Sequence, residues 1–286
     1  MNHVGIDVGG TKCHGVLVDD NGTVLAEVRH PTPHADDLVA LLSSMYAELG
    51  SSRTLGVGVP GLISHDGVVR ASPNLRGAHN VPVGPALRAS LGVTVHVEND
   101  ATVAAYAEWQ AGAARGAHNA VMVTLGTGIG GGIVMGGVLQ RGSHGFAGEI
   151  GHMVVERDGI ECPCGLRGCW ERYASGSALR MLSGGISGEE VFAAHRAGDA
   201  SAAQVVDTYA EWIAVGLASL TNICDPEVIV IGGGVVESLA GAIDLVVDHF
   251  ARSLYSSDAR PLPAVRPAEL GERAGAVGAA LLAAHG

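Results

Sequence analysis

The sequence predicts an α/β protein of two related domains, each built on a mixed sheet. Three observations carry this expectation. At 286 residues the chain exceeds the roughly 100 to 200 residues of an ordinary single core. A strand, a glycine turn and a second strand open the sequence, and the same unit recurs after residue 120. Elsewhere, strand-like apolar runs alternate with helix-like stretches, the pattern of helices laid on the faces of a sheet.

The first strand covers His3 to Val8 and the second Cys13 to Asp19; Asp20-Asn21-Gly22 makes a hairpin turn, and Val24 to Arg29 returns. A helix follows over about Asp36 to Leu49. Leu55 to Val59 reads as a strand stopped by Pro60-Gly61, because proline lacks the ladder donor and glycine frees the backbone to turn. Val93 to Val97 is a further strand, and Glu98-Asn99-Asp100 leads from it into an alanine-rich helix ending near Gly112. Small and polar residues from Gly112 to Asn119 mark a passage, after which Ala120 to Leu125, Gly126-Thr127-Gly128 and Gly130 to Met135 repeat the opening pattern. Helices are expected near Ser175 to Leu182, Glu189 to Ala197 and Ala200 to Ile223. A buried strand at Val228 to Ile231 then runs into Gly232-Gly233-Gly234, and a last helix spans about Gly271 to Ala284. No low-complexity linker or tandem repeat interrupts this order.

Hydrophobic residues make up 47% and charged ones 16%, which suits two buried cores and not a disordered chain. The formal charge of −12 argues against a general surface for nucleic acid or anionic membrane, since such surfaces need clustered Lys and Arg. An anionic ligand must then be held by backbone N–H groups and a metal ion. Of 17 basic residues a single one is lysine, Lys12, and it follows Gly9-Gly10-Thr11 directly. Asp7 and Lys12 interrupt the first residues before an apolar signal segment can form. Gly116 to Gln140 lacks Asp, Glu, Lys and Arg, but its eight glycines suit two strands around a turn better than a membrane span. A soluble protein is expected.

Gly5 to Lys12 approaches the spacing of a Walker loop, but threonine stands where that motif has lysine, and a strand follows in place of a helix. A tight glycine turn between antiparallel strands can still aim successive N–H groups at a phosphate. Asp7 would then sit where a Mg2+ and its waters are needed; an ordinary hairpin would show the same residues. The second cluster, Gly126 to Gly132, again follows a strand, and Gly232 to Gly234 is a third. Matched glycine turns suggest a nucleotide clamped between two domains. Glu98-Asn99-Asp100 lies where a helix N-cap is expected. A carboxylate there, at the C-terminal end of a strand, can also accept a proton from an alcohol attacking a γ-phosphate.

Of five cysteines, Cys162, Cys164 and Cys169 fall within eight residues, while Cys13 and Cys224 stand alone and read as buried packing residues. The odd count and the Cys-x-Cys spacing disfavour a disulfide framework. With His152 they form a ligand set for a closed tetrahedral zinc site. Glu149 precedes this group and Glu171 follows it, so two carboxylates are anchored at the edges of a metal-stiffened loop. Rigid carboxylates suit recognition of sugar hydroxyls, because each accepts two hydrogen bonds.

Jointly these residues resemble the ROK family of sugar kinases and repressors, within the sugar kinase and actin superfamily. The resemblance rests on Asp7 to Lys12, Ser72-Pro73-Asn74-Leu75, Glu98-Asn99-Asp100, Leu125 through His152, the cysteine loop, Asn222 to Glu227 and Ile231 to Gly234. It covers nearly the whole chain and implies a two-domain actin-like, ribonuclease H-like ATPase fold with a cleft between the domains. Residues 1–113, completed by the last helix at about 271–286, would form the smaller domain; residues 114–270 would form the larger one with the zinc loop.

The resemblance further implies that Asp100 is the general base for the 6-hydroxyl of a hexose, glucose first. Gly61, Asn74, Asn99, Asp100, Glu149, His152 and Glu171 would bind the sugar, His152 giving one ring nitrogen to zinc and the other to a hydroxyl. Asp7, Gly9, Gly10, Thr11 and Lys12 with Gly126, Thr127 and Gly128 would hold the ATP phosphates and Mg2+. Gly232, Gly233 and Gly234 would lie near adenosine, and His152, Cys162, Cys164 and Cys169 would hold structural Zn2+. The cysteine loop favours ATP over polyphosphate as donor. Arg76-Gly77-Ala78-His79-Asn80 stands where several relatives carry an aromatic residue in the sugar pocket. Mannose, fructose, N-acetylglucosamine and N-acetylmannosamine are the alternative substrates. A non-catalytic sugar-sensing regulator is the rival from another class; such relatives carry an N-terminal helix-turn-helix, for which a strand starting at His3 leaves no room. A cytoplasmic homodimer or homotetramer, binding neither nucleic acid nor membrane, completes the expectation.

Overall fold

The computed structural model describes residues 1–50, 52–72, 75, 77–236 and 241–285. Asn74, expected at the sugar, lies outside the described residues, as does Arg76.

The first half runs β1 (His3–Val8), β2 (Lys12–Val18), β3 (Val24–Pro31), α1 (Leu38–Leu49), β4 (Thr54–Val59), β5 (Leu62–Ile63), β6 (Val69–Ala71), β7 (His79–Val81), α2 (Val83–Leu91), β8 (Thr94–Asn99) and α3 (Asp100–Ala111). Its main sheet has the order β3-β2-β1-β4-β8, antiparallel up to β1 and parallel from β1 to β8. The second half runs β9 (Ala120–Leu125), β10 (Ile129–Met135), β11 (Val138–Leu139), α4 (Glu171–Ala174), α5 (Gly176–Leu182), α6 (Gly188–Arg196), α7 (Ala200–Cys224), β12 (Val228–Gly232), α8 (Ile243–Ser253), β13 (Ala264–Pro267) and α9 (Ala274–His285). Its sheet, β11-β10-β9-β12-β13, repeats the layout strand for strand. The duplicated strand–glycine–strand unit is the sequence trace of that repeat.

Each sheet buries its outer face under its own helices. Leu38, Leu42 and Met45 of α1 cover the first, and Ile213 and Leu217 of α7 the second. A third core lies between the halves, built from Ala104 and Ala107 of α3, Ala276 and Val277 of α9, and Val16, Met122 and Val230 of the two sheets. Here the backbone itself is the packing surface. A Cβ on Gly5 would run into Ala276 O, one on Gly56 into Ala279 O, and one on Gly278 into Val103 O. A Cβ on Gly130 would lie 2.6 Å from Ala101 Cβ, and one on Gly132 would overlap Ala105 Cβ. Gly130 and Gly132 of β10 therefore admit α3 and Gly131 admits Ile150, whereas the sequence alone invited a ligand for the whole run from Gly126 to Gly132.

Several elements carry no legible periodicity. β5 to β7 form a separate three-stranded sheet whose strands have two or three residues each, too few to alternate. β13 carries Pro267 and stands at a sheet edge, where a missing N–H is tolerated. Among the described residues no helix is long and apolar enough to cross a membrane.

Both passages between the halves converge on one side chain. Glu108 of α3 is fully buried and accepts N–H bonds from Ala113 (2.9 Å), Glu269 (3.1 Å) and Leu270 (2.8 Å). Gly112 makes room for the carboxylate, since a Cβ there would overlap Glu108 Oε2. Replacing Glu108 by Ala orphans three backbone donors and is expected to cost about 3 kcal/mol. Urea unfolding measures this, and a loss below about 1 kcal/mol would contradict the role.

Candidate active site

Glu98, Asn99 and Asp100, at the junction of β8 and α3, do three different things. Glu98 is buried, accepts from Asn99 N at 2.9 Å through Oε1, and pairs through Oε2 with Arg141 Nε. Burial raises the Glu98 proton affinity, and the Arg141 charge opposes that rise. Asn99 is the N-cap, accepting from Thr102 N at 3.0 Å and donating its Nδ2 to Gly61 O at 3.1 Å. Gly61 thus touches the site through its carbonyl, with φ of 111°, a conformation glycine adopts freely. Asp100 opens the helix, and its Oδ1 accepts from Ala101 N at 2.9 Å. Burial holds its carboxyl above the ordinary range, partly offset by that backbone bond.

Asp7 lies near the end of β1, beside Gly58 of β4. A Cβ on Gly58 would lie 3.3 Å from Asp7 Oδ1 and 3.5 Å from Asp100 Cα, and one on Gly275 would lie 2.6 Å from Asp7 Cγ. The bare backbones of β4 and α9 thus close on the two aspartates. Burial pushes the Asp7 carboxyl up to about 7; the Asp100 charge adds to the rise and Lys12 opposes it.

The turn after Asp7 is held by Gly9 N donating to Lys12 O at 2.9 Å and by Thr32, whose hydroxyl donates to Gly9 O at 2.6 Å. Gly10 and Thr11 face solvent at its tip. Lys12 Nζ meets Glu272 Oε2 at 3.0 Å, an exposed ion pair. In the other half, Gly126 N donates to Gly128 O at 3.0 Å, and the Thr127 carbonyl accepts from Ser177 Oγ at 2.7 Å. Gly126 and Gly234 have open space where a Cβ would stand, a cradle suited to a close phosphate or nucleoside. Gly128 faces Glu171 instead: a Cβ there would lie 2.5 Å from Glu171 Oε2. Gly232 ends β12, and Gly233, with φ of 91°, abuts the Leu125 backbone.

His152, Cys162, Cys164 and Cys169 bring four ligand atoms within 4.8 Å of one another. Cys164 Sγ and Cys169 Sγ are 3.6 Å apart, and Cys162 Sγ is 3.9 Å from His152 Nδ1. These separations suit the edges of a tetrahedron around an ion about 2.3 Å from each sulfur, and they are too long for a disulfide. The donor set and its spacing fit zinc. His152 Nε2 points the other way, 3.9 Å from Glu149 Oε2, while Glu171 Oε1 lies 3.8 Å from Nδ1. The loop is anchored by Trp170, fully buried, whose indole donates to Trp212 O at 2.7 Å and packs on Gly216 of α7. Glu171 is the next residue, so that anchor aims its carboxylate. Burial raises the proton affinity of Glu149; His152 lowers it, and Asp100 and Glu171 raise it further.

Residues 3–285 match the ROK family. The chain belongs to that family. This ROK protein is 34% identical to the glucokinase of Streptomyces coelicolor, over 98% of this chain and 96% of that one. A ROK family glucokinase from Streptomyces griseus, solved in complex with glucose and AMPPNP, superposes with a TM-score of 0.89 at 35% identity over 100% of both chains. The xylose repressor of Bacillus subtilis is 30% identical and matches over 96% of this chain and 75% of that protein. The fold is thus the two-domain actin-like ATPase fold that the family resemblance implied.

The structure brings together Asp7, Gly58, Gly61, Asn99, Asp100, Glu149, His152 and Glu171. Arg141, Trp170, Gly58 and Gly275 escaped the sequence reading; a lone arginine or glycine has no pattern, although a buried Glu98 implies a cationic partner. The raised Asp7 carboxyl has a thermodynamic consequence. Asp7 binds its proton more tightly when folded, so its contribution to stability is full below the ordinary 3.8 and is lost as pH rises through about 7. Asp7→Asn is expected to raise the Tm of the ligand-free protein at pH 8 and to change it little at pH 4. Calorimetry at the two pH values measures this; an equal change at both would refute it.

Proposed function

We propose that this ROK protein is an ATP-dependent hexose kinase acting on the 6-hydroxyl of glucose. The observation that carries the reading is the position of Asp100, whose charge reaches Asp7 beside one glycine turn and Glu149 beside the cysteine loop. A base between a phosphate-side carboxylate and a hydroxyl-side carboxylate is what transfer from ATP to a sugar requires. Asp100 takes the proton of the 6-hydroxyl, the oxygen attacks the γ-phosphorus, and the bond to the β–γ bridging oxygen breaks to release ADP. Burial strengthens Asp100 as a base, and the N-cap bond of Asn99 holds the segment rigid. Glu149, His152 and Glu171 accept and donate to the remaining hydroxyls, and Asn74 is assigned to the same pocket.

Gly9, Gly10, Thr11, Lys12, Gly126, Thr127 and Gly128 are assigned to the ATP phosphates, and Gly232 to Gly234 to adenosine. Mg2+ held on the Asp7 side would neutralise charge on the transferring phosphate. Zinc held by His152 Nδ1 and the three thiolates would fix the imidazole so that Nε2 faces the sugar. Closure of the two domains, divided at residues 1–113 with 271–286 and 114–270, keeps water from the γ-phosphate. A cytoplasmic homo-oligomer is part of the same reading.

Asp100→Asn is expected to lower kcat by about 10² to 10⁴ while the glucose KM and the circular dichroism stay near wild type. No glucose-dependent ADP release by the wild-type protein would leave a sugar-sensing regulator in its place. Metal analysis should find about one zinc per chain. Cys164→Ser should lose that metal and raise the glucose KM more than it lowers kcat; full affinity without metal would sever zinc from sugar recognition.

A further inference from the structure

Outside the cleft, a concavity of about 520 Å3 opens along β8, the edge strand of the first sheet. His65, Arg88, His96 and Arg141 line it and no carboxylate does. In a chain of net charge −12, four basic side chains lining one hollow, with the buried Glu98 behind Arg141 as the paired carboxylate, are a local departure from the overall field.

Arg88 is held in place by uncharged partners, whereas Arg141 is paired with a carboxylate. Arg88 donates Nη1 to Val95 O at 2.9 Å and Nη2 to Asp66 O at 2.6 Å. Both acceptors are uncharged carbonyls, so the guanidinium is oriented and keeps its full charge. His65 Nε2 donates to Gly142 O at 3.0 Å, which fixes the orientation of the ring at the rim of the hollow. Arg141 pairs with the buried Glu98 through Nε rather than through its two Nη groups. Burial lowers the proton affinity of His96, and Arg141 and Arg88 lower it further, so two positive charges act on the ring at once.

We propose that this pocket is an anion site that binds a phosphate group, supplied as inorganic phosphate or as the phosphate of a sugar phosphate. Arg forks match phosphate oxygens, imidazole adds a donor, and the volume lies in the range of small-ligand sites. The site is separate from the glycine turns assigned to ATP, and Arg141 places it next to Glu98, two residues before Asp100.

Calorimetric titration of the whole chain with inorganic phosphate and, separately, with glucose 6-phosphate tests this. Glucose and AMPPNP are kept in excess so that the cleft is filled; the variants below lie outside the cleft and report on the pocket whether or not those ligands bind. Binding of either probe that weakens at least about tenfold in both Arg88→Ala and His96→Gln supports the site. Equal affinity for the two probes would make the phosphate group alone the ligand, and tighter glucose 6-phosphate would make it a sugar phosphate. Arg88→Ala removes one bond from α2 to β8 and one to the turn at Asp66, so its melting curve is recorded, and His96→Gln carries the test if that variant is unfolded. No binding of either probe, or binding unchanged in the folded variants, overturns the proposal.

Discussion

The constraint on which the rest depends is the contact of backbone on backbone between the two sheets. α9 meets β1 and β4 at Gly5 and Gly56 and meets α3 at Gly278, while β10 meets α3 at Gly130 and Gly132. Side chains at those places would push the layers apart. Because none is there, the ends of β1 and β4, the start of α3 and the start of α9 converge. Asp7 and Asp100 then lie close enough for the Asp100 charge to be felt at Asp7. The same closeness excludes water and makes both carboxylates hold protons above their ordinary range. Packing and acid–base chemistry have one cause here.

The second half is positioned by different means. It presents Glu149, His152 and Glu171 on and beside an irregular loop, which no ladder of hydrogen bonds stiffens. Three devices replace the ladder: the Trp170 anchor on α7, a short antiparallel bridge between Val154 and Cys169, and the cluster of His152 with three thiols. Gly168, with φ of 75°, lets the loop pass the Glu156 carbonyl where a Cβ would collide. The histidine that faces the thiols with Nδ1 faces Glu149 with Nε2, so one ring joins the cysteine cluster to a carboxylate.

Much of the site was legible in the residues because its parts are local. A cysteine-x-cysteine loop with a nearby histidine has a chemical meaning at any place in a fold, and so does a glycine turn after a strand. Glu98-Asn99-Asp100 was legible as a capping or catalytic triplet, yet its division of labour was not. Which of three adjacent polar residues is buried against Arg141, which caps, and which lies beside Gly58 and Asp7 depends on the direction β8 takes as it enters α3. The glycines of β10 were misleading for a related reason: glycine reports close approach but not of what, and for Gly130 to Gly132 the approaching group is protein.

The sequence by itself determined the class of fold, the duplication and the grouping of one histidine with three cysteines, which follow from periodicity, spacing and residue chemistry within short windows, and its joint motifs carried the family resemblance. Tertiary structure alone decided that Asp7, Asp100 and Glu149 form one electrostatic group, that Glu108 joins both crossings between the halves, and that four basic residues from separate segments share a hollow in an acidic protein. Those facts depend on distances between residues far apart in the chain. Such distances are set by how closely the layers pack, which is a property of the whole core and of no single segment.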